Sequence, residues 1–455
     1  MSQHHPGIDA SEPIDLEGTS GFRQTAIPEP PQITAPPRHE QRTLRWQQVA
    51  QAGVFAAAVV IVLVGLVAGS LGLAVSLFDP SPGQVTATTV SAALLVLTVG
   101  LGLALAWQAL QAMLGRPSSP FSPRRAWIWI LLFLLAVLGG QMVLSLGLLP
   151  ALLLPPFHLA AAILPALFIL WAVGRSLSGA ARWREIVLQL SSGAFVSTIL
   201  AFSLEMMVIV ALLILLVAGA AVQPDGLEQM QFLAEHFQDT TWIQDPTLLA
   251  PLALSPVVVL VALLFFALVI PLVEESVKTV GVALLSYQRP SLAQTYLWGL
   301  ACGIGFAIAE GLFNSAGGLD VWAFVVSLRV GATILHAFTG ALMGMAWYYA
   351  LIERRWFLGL GLFGASVGVH GLWNALAAGV TLFSLASLDA ETASALPGGA
   401  TLGMAAIMGL LVVLAVAVAL ALAGLTRWVR YHSPEFAPPR AQAAREIQPA
   451  LPLEK

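Results

Sequence analysis

The sequence runs to 455 residues, 58% of them hydrophobic and only 10% charged, with a formal net charge of −4. Soluble domains carry roughly 25% charged residues, so a chain with mean hydropathy +0.85 is excluded from the soluble globular classes, and no nucleic-acid partner is expected. Lipid is the solvent that its apolar surplus fits, and a single cysteine, Cys302, excludes an internal disulfide framework and a cysteine-based metal cluster.

Residues 1–45 hold seven prolines (Pro6, Pro13, Pro28, Pro30, Pro31, Pro36 and Pro37) and no apolar periodicity. Such a stretch buries too little surface to offset its ordering entropy, and is expected to be a disordered tail. No short apolar core with a small-residue cleavage site opens the chain, so the first long apolar run is expected to act as an uncleaved anchor.

A membrane-crossing helix needs about 20 apolar residues. Runs of that kind fall at 49–77, 87–114, 126–149, 152–173, 192–222, 252–287, 291–314, 321–352, 357–384 and 400–426. The fourth contains Pro155, Pro156 and Pro165, which leave it open to a break or a re-entrant path. The sixth is too long for one straight crossing and should kink at Pro271.

Basic residues mark alternate loops. Arg38, Arg42 and Arg45 precede the first run; Arg116, Arg124 and Arg125 follow the second; Arg175, Arg182 and Arg184 follow the fourth. Arg289 follows the sixth, Arg354 and Arg355 the eighth, and Arg427, Arg430, Arg440, Arg445 and Lys455 the tenth. The intervening connections carry acids and no Lys or Arg: Asp79, then Asp225, Glu228, Glu235, Asp239 and Asp245, then Asp320, then Asp389 and Glu391. The positive-inside rule then predicts an all-α polytopic transmembrane helix bundle of ten spans in the cytoplasmic membrane, with both termini cytoplasmic. The expected segments are a tail (1–45), N-terminal transmembrane helices (46–222), an acidic extracytoplasmic loop (223–251), a polar-bearing core (252–384), a last helix (385–430) and a second cytoplasmic tail (431–455). The 223–251 loop is read as a tether, with a lid or a partner-recognition loop as the alternatives.

Ionisable groups cost at least about 2–3 kcal/mol at the centre of a membrane helix unless paired or hydrated. Those present cluster in four consecutive spans: Glu274, Glu275 and Lys278, then Glu310, then Arg329 and His336, then His370 with Asn374. At ~1.5 Å per residue from the cytoplasmic ends, Glu275 lies roughly 18 Å in, His370 about 20 Å, His336 about 24 Å and Glu310 about 28 Å, so the four can meet. Glu274 and Lys278 share a helix face at i,i+4, as do His370 and Asn374, whereas Glu275 points about 100° away from Glu274. Two readings are open: structural ion pairs (Glu275 with Lys278, Glu310 with Arg329), or a site for water activation with a carboxylate base, imidazole ligands and a donor for an oxyanion. Glu205, mid-span in the fifth run, belongs to no motif; it is read as structural, with lining the cavity or pairing with a cation as the alternatives.

The set Glu274-Glu275-x-x-Lys278, Phe306-x-x-x-Glu310, Arg329 with His336, and His370-x-x-x-Asn374 resembles the PrsW family of intramembrane proteases, a relative of the CAAX-prenyl-protease (ABI) superfamily. The resemblance covers roughly 252–384; Gly311 stands where that family commonly has Asn, and the first five spans and the last carry no matching motif. It implies an endopeptidase acting on a membrane-protein substrate, in the founding case an anti-sigma factor. By position, Glu274, Glu275, Glu310, His336, His370 and Asn374 would be the catalytic residues, with Lys278 and Arg329 in support. Glu275 or Glu274 would deprotonate water, while Glu310, His336 and His370 would hold either a zinc ion or the water itself. Metal and glutamate chemistry both remain open, since His-Glu-x-x-His is absent. A proton- or ion-coupled transporter is the competing class, though no inverted repeat is visible; an inactive scaffold that binds membrane peptides is the third.

Overall fold

A computed structural model describes residues 38–79, 81, 83–124, 127–221, 256–388 and 399–436. The proline-rich stretch before Arg38, the 223–251 loop and the tail beyond 436 lie outside the described residues. Met1–Gln47 and Gln48–Lys455 form two units, and the following concerns the second.

Among the described residues the chain is helical, with no sheet. Ten helices are long and apolar enough to cross a membrane: α1 (Trp46–Phe78), α2 (Gln84–Met113), α3 (Ile128–Ser145), α4 (Pro150–Ser176), α5 (Trp183–Leu212), α6 (Val258–Gln288), α7 (Leu292–Asn314), α8 (Leu319–Ile352), α9 (Trp356–Ala386) and α10 (Thr401–His432). The ten apolar runs thus each become a helix, and the chain is a multi-pass membrane protein. The break or re-entrant path left open for the fourth run does not occur: α4 continues through Pro155, Pro156 and Pro165. Membrane helices tolerate proline because neighbouring groups take up the carbonyls it leaves free.

α7 is the buried centre of the bundle, and its glycines explain why. Gly299 and Gly303 on α7 face Gly340 and Gly344 on α8 so closely that a Cβ on Gly340 would lie 2.9 Å from Gly303 Cα. This is a small-x-x-x-small pair on both helices, which lets backbones touch where lipid supplies no hydrophobic drive. On its opposite side Gly305 meets the backbone of Leu190 and Ala194, and Gly193 of α5 meets Cys302. α7 is therefore held between α5 and α8 at backbone contact.

α6 is irregular where its proline demands it. A π-helical turn at Phe265–Val269 precedes Pro271, and the helix breaks again at Thr279 (φ −115°, ψ 29°). Pro271 has no N–H to give the carbonyl of Ala267, and Gly371 of α9 packs directly on that carbonyl. At the second break, Ser197 Oγ of α5 donates to Lys278 O at 2.9 Å, Gln189 Nε2 to Gly281 O at 3.2 Å, and Trp347 Nε1 to Thr279 Oγ1 at 2.9 Å. Ser197 and Gln189 thus cover two backbone carbonyls that lipid would leave unsatisfied, and Trp347 holds the Thr279 side chain at the break.

Candidate active site

The polar residues of α6–α9 converge. From α6, Glu274, Glu275 and Lys278 are all buried, as are His336 on α8 and His370 on α9. Lys278 Nζ pairs closely with Glu275 Oε1, lies 3.8 Å from Glu274 Oε2 and 2.9 Å from His336 Nδ1. His370 Nδ1 lies 2.8 Å from Glu275 Oε1, and its Nε2 lies 3.7 Å from Glu274 Oε2. The two imidazoles stand perpendicular, with centroids 5.1 Å apart.

Glu310 on α7 closes the other side. Its carboxylate takes a two-point contact from Arg329, Nη1 to Oε1 at 3.1 Å and Nη2 to Oε2 at 2.9 Å. Asn314 Nδ2 donates to Oε1 at 3.1 Å, and His336 Nε2 lies 2.7 Å from Oε2. Phe306 packs on His336 (5.3 Å between centroids) and carries the Lys278 ammonium over its ring at 5.0 Å. Each histidine therefore has a carboxylate fixing one ring nitrogen: Glu275 for His370 and Glu310 for His336. Such pairs set ring orientation and raise ligand basicity.

Both anticipated ion pairs form, and each also holds a histidine, so the structural and the chemical readings are not exclusive. The two adjacent glutamates separate in role. Glu274 lines a cavity of about 870 Å³ together with Glu310, His370 and Asn374, while Glu275 points into protein. One carboxylate oxygen of Glu274 and one ring nitrogen from each of His336 and His370 lie within 4.8 Å of one another. Glu274 Oε2 is also buried without a hydrogen-bond partner. A carboxylate and two imidazoles, buried and convergent, are donors that suit a divalent metal, and a metal held by His336 would replace either its Lys278 contact at Nδ1 or its Glu310 contact at Nε2. The sequence reading named Glu310, His336 and His370 as metal ligands; the oxygens of Glu310 contact Arg329, Asn314 and His336, while the ligand atoms within 4.8 Å of one another belong to Glu274, His336 and His370.

One contributor carried no motif signal. His158 of α4 is fully buried, its Nδ1 accepting from Trp322 Nε1 at 3.1 Å and its Nε2 facing Leu312 O at 3.0 Å. It ties α4 to the end of α7, two residues after Glu310, and to the start of α8. A lone histidine in an apolar run beside three prolines was the available cue. Glu205, for which the sequence left cavity lining open beside a structural role, lines the cavity, and its Oε1 is buried without a hydrogen-bond partner.

The model of a family described as PrsW family intramembrane metalloprotease matches residues 182–422, just over half of the chain. The match is wider than the motif block, taking in α5 and much of α10 as well as α6–α9. No curated protein and no solved structure matches.

Proposed function

Because the chain belongs to the PrsW family of intramembrane metalloproteases, we propose that it hydrolyses a peptide bond of a membrane-protein substrate held in the cavity between α5, α6, α7 and α9. The observation that carries the assignment of the site is the convergence of Glu274, His336 and His370 within 4.8 Å, with Glu274 and His370 lining the cavity. These three residues would hold the metal, which we assign as zinc from its mixed nitrogen and oxygen donors. Bound there, the ion would lower the pKa of water and polarise the scissile carbonyl.

The protein's own groups supply the rest. Glu274 takes the proton of the water whose oxygen attacks the carbonyl carbon, and its two oxygens leave one for the metal. The same proton is then delivered to the leaving amide nitrogen as the C–N bond breaks. Asn374, one turn from His370 and on the same cavity, donates to the oxyanion. Glu275 and Lys278 orient His370, and Glu310 with Arg329 orients His336. Neither pair is asked to transfer a proton.

The charge pattern of the loops supports both termini on the cytoplasmic side of the cell membrane. Reconstituted protein should cut a single-span substrate, and Glu274→Gln should lower kcat by ~100-fold or more while leaving insertion intact. Metal analysis should find one zinc per chain, lost in His370→Ala. Full activity in Glu274→Gln would sink the assignment of the base, and ion flux without cleavage would favour the transporter reading.

A further inference from the structure

α5 presents one face to the cavity: Thr198, Ala201, Phe202 and Glu205 recur at helical spacing and all line it. Glu205 is the ionisable lining residue that α5 contributes, the others being Glu274, Glu310 and His370, and Phe202, Phe266 and Ile270 line the same cavity. Among the described residues no Lys or Arg lines this cavity. The cations nearest the site are committed, Lys278 to Glu275 and Arg329 to Glu310. Among the described residues Glu205 has no ion pair, and its Oε1 is buried without a hydrogen-bond partner. A carboxylate at membrane depth is costly unless something neutralises it, and here the open side is the substrate cavity.

We infer that Glu205 is a specificity-determining residue, forming a subsite for a lysine or arginine carried within the membrane segment of the substrate. The inference rests on the protease reading of the same cavity. A basic residue entering from the substrate would pair with Glu205 inside a low-dielectric pocket, where attraction is far stronger than in water. A substrate with leucine at that position leaves the carboxylate unpaired, and one with glutamate adds repulsion.

The test uses the full-length protein in proteoliposomes and a set of single-span substrates with Lys, Leu or Glu placed at successive positions of the apolar stretch. At one position the wild type should favour Lys over Leu by about tenfold in kcat/KM, equivalent to ~1.4 kcal/mol, and should disfavour Glu. Glu205→Gln should lose the Lys preference, its Lys-to-Leu ratio of kcat/KM falling to about one. Glu205→Lys should reverse it, favouring Glu. Binding of the same segments to protein in nanodiscs is measured in parallel. Absence of cleavage for every substrate would refute the protease reading, while the Lys-to-Leu binding ratio still decides the role of Glu205. A wild type that never distinguishes Lys from Leu, or a preference unchanged in Glu205→Gln, overturns the inference.

Discussion

Substituting Gly340 by alanine should cost activity well out of proportion to the one methyl group added. The new Cβ would sit 2.9 Å from Gly303 Cα and 3.0 Å from Gly303 N, both backbone atoms of α7. Ordinary carbon contacts lie at about 3.5–4.0 Å, so α7 and α8 must part by roughly 0.5–1 Å at this crossing. His336 lies one turn before Gly340 on α8, and its own carbonyl is the atom against which Gly303 packs. The displacement therefore reaches the ring whose Nε2 lies 2.7 Å from Glu310 on α7. A 1 Å misplacement of catalytic groups costs about 100-fold, and overpacking costs about 1–3 kcal/mol of stability. The assay is kcat/KM for a single-span substrate in proteoliposomes, alongside thermal unfolding in detergent. Gly364→Ala and Gly368→Ala on α9 are the controls, because a Cβ at either meets nothing within 4 Å. A Gly340→Ala protein as active as these controls would refute the claim that glycine contact between α7 and α8 sets the site.

Three further outcomes are expected. His158→Ala should orphan the Trp322 indole N–H and the Leu312 carbonyl, lowering stability by about 1–3 kcal/mol for each buried group left unpaired; an unchanged melting temperature would count against the clamp. Arg329→Leu removes the bidentate partner of Glu310, which should destabilise by about 1.5–3 kcal/mol and release His336 from its position. Arg329→Lys keeps the charge but not the fork, so it should recover folding more than cleavage, and equal recovery of both would argue against a positioning role. Reporter fusions after Arg430 and within 223–251 should read opposite sides of the membrane, cytoplasmic for the first; the same side for both would overturn the proposed orientation.

Much of this protein was legible in its sequence because hydropathy and charge are local properties. A run of apolar residues long enough to cross lipid has to become a helix, since lipid offers its backbone no hydrogen-bond partners, and ten such runs became ten helices. The ionisable residues in α6–α9 were conspicuous for the same reason, each being expensive in lipid unless it has a partner. What the sequence could not decide was rotation and contact. Glu274 and Glu275 are adjacent and chemically identical, and only the packing of α6 against α9, through Gly371 on the carbonyl freed by Pro271, turns Glu274 to the cavity and Glu275 to His370. The pairing of Glu310 with Arg329 was legible as an option, but its distances to Arg329, Asn314 and His336 were fixed only by how α7 and α8 pack. His158 and Glu205 had no motif to announce them, because one is defined by a carbonyl and an indole on other helices and the other by the cavity it faces. Spans and the choice of ionisable residues follow from each segment's own chemistry in lipid. The division of roles among those residues follows from how neighbouring helices rotate them, which only the tertiary structure decides.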